Sequence, residues 1–134
     1  MSASEGMRKL FVIRIAFIMG VATFAAITVF LRTQGKLPEP GPEQLAGVEQ
    51  VRYMMWGFSA FAVVLALLMR TRTESAMTEA QMNSALIVGW AGGEGAALGS
   101  IVALFIGGSV ATMAVGILAF IVVLLILRIP SPPR

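Results

Sequence analysis

The chain is laid out as four long apolar runs, at about residues 10–31, 52–69, 80–106 and 110–128, separated by short polar segments. Each run is near or above the ~17–25 residues that a helix needs to cross ~30 Å of hydrocarbon. Only a helix satisfies its own backbone in lipid, so the pattern predicts a single all-α domain with four transmembrane helices. The stretch MRKLFVIRIAF resembles the basic and apolar regions of a signal peptide. The apolar run is long and Arg32 closes it, so it reads as an anchor.

The polar segments carry start and stop signals. In the loop at 32–51, Pro38, Pro40 and Pro42 forbid a helix through the first half. Gly41-Pro42-Glu43 then predicts a helix start with proline at its first position, continuing into the second span. Thr78-Glu79-Ala80-Gln81 is a T-x-x-Q capping box, so the third helix should start near Glu79 and run to Ile106. That is about 28 residues, or ~42 Å. Gly107-Gly108 predicts a tight turn with Ser109 as the cap of the last helix, and Pro130, Pro132 and Pro133 stop that helix.

Charge gives an orientation. Arg8, Lys9, Arg14, Arg70, Arg72, Arg128 and Arg134 fall on one face of a four-span chain, seven of its ten basic residues. Positive-inside logic puts that face, with both termini, in the cytoplasm and the loop at 32–51 outside. Tyr53 and Trp56 then sit at the outer boundary, where amphipathic aromatics anchor. Because the basic residues bracket apolar runs, the net charge of +3 implies no nucleic-acid partner.

Composition removes most chemistry. Of 134 residues, 57% are hydrophobic and 13% charged, about half the usual charged share, which places the chain in a membrane, expected to be a bacterial inner membrane. There is no cysteine and no histidine, and the seven carboxylates are all glutamates. The common general base, the usual haem ligand and the thiolate nucleophile are missing. No enzyme activity, cofactor or metal site is expected.

One carboxylate stands inside an apolar run. At 100° per residue, Gly89, Gly92, Ala96, Gly99, Ser100 and Ala103 gather on one face of the third helix, with Gly93 and Gly95 at its margins. Gly89/Gly93 and Gly95/Gly99 are G-x-x-x-G pairs, which let another helix backbone approach. Glu94 points away from that face, with Ile87, Trp90, Ala97, Leu98 and Ile101 beside it. It is therefore expected to look outward, where a charge in mid-membrane costs at least ~2.5–3.5 kcal/mol and the neutral acid is favoured. Arg14, the one basic residue inside another span, lies ~10 Å nearer the cytoplasm and is expected to snorkel to the interface. Trp90 is a candidate contact for a lipid tail, quinone or pigment.

The segment GGEGAALGSIVALFIGG, within about residues 85–107, resembles the carboxylate-bearing helix of the c subunits, or proteolipids, of rotary ATPases. The resemblance implies a proton or sodium ion carried by Glu94. The first helix, RIAFIMGVATFAAITVF, lacks the long glycine repeat of the ring-lining helices of that family.

Two functional readings follow. The first is a non-catalytic membrane subunit that packs against larger subunits of a membrane complex, for example respiratory or photosynthetic. Small-residue faces, an outward Glu94 and adaptable methionines (Met54, Met55, Met77, Met82) support it. Membrane lipids and unrelated larger subunits are its expected partners, ahead of self-association. The alternative is ion translocation through Glu94, as a c-subunit-like proteolipid or a small carrier. Carriers pair several polar groups near the midplane. Here only Thr23, Thr28, Ser59, Ser100 and Thr112 are available, and such residues often bond their own helix backbone.

Overall fold

The computed structural model describes residues 3–130, with side chains from Glu5 onward. They form four helices: α1 (Ala3–Thr33), α2 (Leu45–Glu74), α3 (Glu79–Phe105) and α4 (Val110–Ile126). Three of them, α1, α2 and α3, are long and apolar enough to cross a membrane. The fourth is shorter. Its 17 residues span ~25 Å, less than the ~30 Å of a hydrocarbon core. Arg134, Pro132 and Pro133, invoked above as a cytoplasmic charge and as helix stops, lie outside the described residues.

The local chemistry explains where each helix begins and ends. Thr78 caps α3 by accepting from the Gln81 N–H at 3.2 Å, and the Gln81 side chain accepts from Met77 N–H, one residue before the cap. Ser109 likewise accepts from the Thr112 N–H and caps α4. At the far end of α3, Gly107 (φ +106°) donates to Leu104 and Gly108 to Ala103. The end of α1 repeats this pattern, with Gly35 (φ +66°) donating to Arg32 and Lys36 to Leu31. Both are Schellman closures, and both need a positive φ that glycine adopts without strain.

Three boundaries differ from expectation. The second helix begins at Leu45, not at Pro42. Gly41 to Gln44 close a separate turn, in which Gln44 N–H donates to the Gly41 carbonyl and the Gln44 side chain accepts from Gly41 N–H. The last helix stops at Ile126, short of 128, because Pro130 keeps the residue before it out of the helical region. The first helix starts well before residue 10, since nothing in SEGMRKL breaks it.

Helix α3 is the hub. It packs against all three others; α2 and α4 also pack on each other, whereas α1 packs closely on α3 alone. Gly6, Leu10, Val21 and Thr28 are the buried positions of α1, and Phe11, Met19 and Phe30 stand out from its free side. Helices α3 and α4 approach each other closely at Gly116. A Cβ added to Gly116 would collide with the Ser100 side chain and come within 2.8 Å of the Ala96 carbonyl oxygen. The loop at 34–44 folds over this end of the bundle, with Pro40 against Gly107 and Arg32 donating to the Gly108 carbonyl at 3.0 Å.

Candidate functional site

The glycine-rich face of α3 is divided between two neighbours. Gly92 lies against Leu65 of α2 and Gly99 against Met55, whose sulfur would stand 2.7 Å from an added Cβ. Gly89 sits between Met69 and Leu127, and Gly93 lies against Phe120 and Val123 of α4. Ala96 and Ala103 are buried within the same packing. Met55 is therefore turned inward; Met54 and Met77 remain exposed.

The opposite face is not left to lipid, as its sequence neighbourhood suggested. Helix α1 covers part of it. The Glu94 carboxylate lies beside Gly20 of α1, where an added Cβ would stand 3.7 Å from Oε1. Glu94 is partly buried, and it makes no hydrogen bond or ion pair with any described residue. Between the side of α3 that meets α1 and the side that meets α2, an arc of roughly 120° is uncovered. Val88, Ala91 and Val102 are exposed along this arc, and Gly95 lies at its α2 edge against Phe58. Since α1 and α2 do not touch, the arc is the floor of an open groove with Glu94 on its α1 wall.

Arg14 and Trp90 meet elsewhere, and differently from expectation. The Arg14 Nη2 donates to the Leu124 carbonyl at 2.9 Å, and its guanidinium lies 5.8 Å from the centre of the Trp90 ring. Arg14 is held by a carbonyl in the last turn of α4. Trp90 is enclosed, with no exposed surface for a quinone or pigment, and its indole N–H donates to the Leu127 carbonyl at 3.0 Å. Leu124 and Leu127 lie where α4 ends and its carbonyls lose their helical partners. The indole and the guanidinium supply the missing donors. Sequence reasoning missed this pairing because a main-chain carbonyl has no side-chain signature; the short α4 and the interior Arg14 were its only traces.

Nearer the other end, Tyr53 and Trp56 are exposed on α2, and Arg52 lies over both rings at 4.9 and 5.8 Å while pairing with Glu49 at 2.9 Å. Ser100 donates to the Ala96 carbonyl of its own helix, and the Thr112 and Ser109 hydroxyls bond each other. The buried hydroxyls of Thr28 and Ser59 have no partner. None of these hydroxyls hydrogen-bonds Glu94 among the described residues. Neither a protein-family model, nor a curated protein, nor a solved structure matches this chain.

Proposed function

We propose that this chain is a non-catalytic subunit of a larger membrane protein assembly, crossing a bacterial inner membrane four times with both termini in the cytoplasm. A helix of a larger, unrelated subunit seats in the groove between α1 and α2 and presents a hydrogen-bond donor to Glu94. One observation carries this reading: a carboxylate midway along α3 lies at the edge of an uncovered arc and has no hydrogen-bond or ion-pair partner among the described residues. A polar group at that depth costs at least ~2.5–3.5 kcal/mol in lipid when charged, and a donor from a neighbouring helix removes much of that penalty. Helix α1 packs closely on α3 alone and makes no close backbone approach to α2, which leaves this side of α3 open to a partner.

Purification of the tagged chain from its native membrane in mild detergent, followed by mass determination of the intact assembly, tests the reading. Unrelated subunits at fixed stoichiometry are expected, and Glu94→Gln should loosen them while leaving the chain folded. A ring built from this chain alone would overturn the proposal and favour ion carriage by Glu94 instead.

A further inference from the structure

A second groove lies where α2 turns into α3. It has a volume of about 830 Å³ and is open to the side. Its polar end carries Arg72, Ser75, Gln81 and Ser84; its apolar end carries Met69 and Val88. Small residues, Ala80 and Ala85 among them, keep it from filling. No carboxylate lines it. Arg70, two residues before it, is held by Glu74 at 3.2 Å, but the Arg72 guanidinium has no hydrogen bond or ion pair among the described residues. The groove thus offers one unpaired cation with hydroxyl and amide groups beside it, followed by an apolar wall.

The dimensions point to a particular occupant. From Ala80 to Val88 the groove follows α3 for ~12 Å. It lies at the ends of two helices that are long enough to cross a membrane, so it falls at the level of the lipid headgroups. A headgroup layer is about 5–7 Å deep on each side, which leaves roughly half the groove for glycerol and the first acyl carbons. We infer that this groove binds an anionic phospholipid, with the phosphate on Arg72, Gln81 and Ser84 and an acyl chain against Met69 and Val88. Charge separates this from general annular contact, because an uncharged wall would hold any lipid equally. The groove shares Val88 with the uncovered arc of α3, so the lipid is tested on the chain alone, apart from the partner proposed for Glu94.

Native mass spectrometry of the purified full chain, after incubation with phosphatidylglycerol or phosphatidylcholine, tests it. The expected result is a phosphatidylglycerol adduct favoured over phosphatidylcholine. Arg72→Gln should weaken that preference about fivefold, the share that one surface arginine contributes to anionic-lipid attraction. Arg70→Gln should leave it in place, and Ser84→Leu, which fills the groove, should remove the adduct for either lipid. Equal retention of the two lipids, or an Arg72→Gln chain that behaves like Arg70→Gln, would overturn the inference. Displacement of the adduct by millimolar inorganic phosphate would identify a free-phosphate site and overturn the lipid assignment.

Discussion

The guanidinium of Arg14, in the first helix, donates to the main-chain carbonyl of Leu124, in the last turn of the fourth, at 2.9 Å. The two residues are 110 positions apart. Arg14 is eleven residues into α1 and Trp90 eleven residues into α3, so both lie ~17 Å from the starts of their helices. The short α4 ends at that level. A cation there also sits favourably at the negative end of the α4 dipole.

Replacing Arg14 with glutamine should remove the charge-assisted bond and destabilise the chain by ~1.5–3 kcal/mol, the usual range for a hydrogen bond to a charged group. Chemical denaturation in a neutral detergent, followed by circular dichroism, measures it. A variant as stable as the parent would mean that the bond contributes nothing net.

Trp90→Phe keeps most of the ring but loses the indole N–H that reaches the Leu127 carbonyl. Leaving that buried carbonyl without its donor should cost ~1–3 kcal/mol. Chemical denaturation of the two chains measures the loss, and Trp56→Phe, which leaves Trp90 as the one tryptophan, makes fluorescence report this site.

Two glycines that look alike in sequence should respond oppositely. Gly116→Ala drives a methyl into Ser100 and the Ala96 carbonyl, and overpacking of this kind costs ~1–3 kcal/mol. Gly57→Ala meets nothing within 4 Å and should be neutral or stabilising, by up to ~1 kcal/mol from helix propensity. Thermal unfolding of the two variants side by side checks the contrast.

Gly107→Ala should be more damaging than an exposed turn position suggests. The residue needs φ +106°, and its Cβ would come within 2.6 Å of the Pro40 ring. The expected outcome is loosening of the loop at 34–44, read as faster proteolysis or hydrogen exchange there.

Glu94→Gln in the isolated chain should change stability by no more than ~0.5 kcal/mol, because the carboxylate has no hydrogen-bond or ion-pair partner among the described residues to lose. A large loss measured on the monomer would show that Glu94 serves the fold of this chain, against the interface reading.

The helices and most of their ends were legible in the sequence because the signals are local. Thr78 and Ser109 cap the helices they precede, and Gly107 marks a turn by the backbone angle it permits. Where side chains compete, local rules slipped: Gln44 closes a turn with Gly41 and moves the start of α2 past Pro42. The arrangement of helices was not legible. Helical periodicity separates the glycine face of α3 from the Glu94 face, but nothing in it says that α2 and α4 share the first or that α1 shields part of the second. The acceptor of Arg14 was not legible either, because it is a carbonyl left free only where α4 stops.

The long reach of Arg14 also bears on how the chain is made. At synthesis rates of ~5–20 residues per second, the 110 positions between Arg14 and Leu124 take roughly 5–20 s to emerge. Through that interval the first helix has neither its acceptor nor, until α3 arrives, the one helix it packs on. Helix α1 thus precedes the other three helices and is the last to be locked. During this window its arginine depends on lipid phosphates, water or the insertion machinery for company, and the newborn chain is open to capture before its bundle closes.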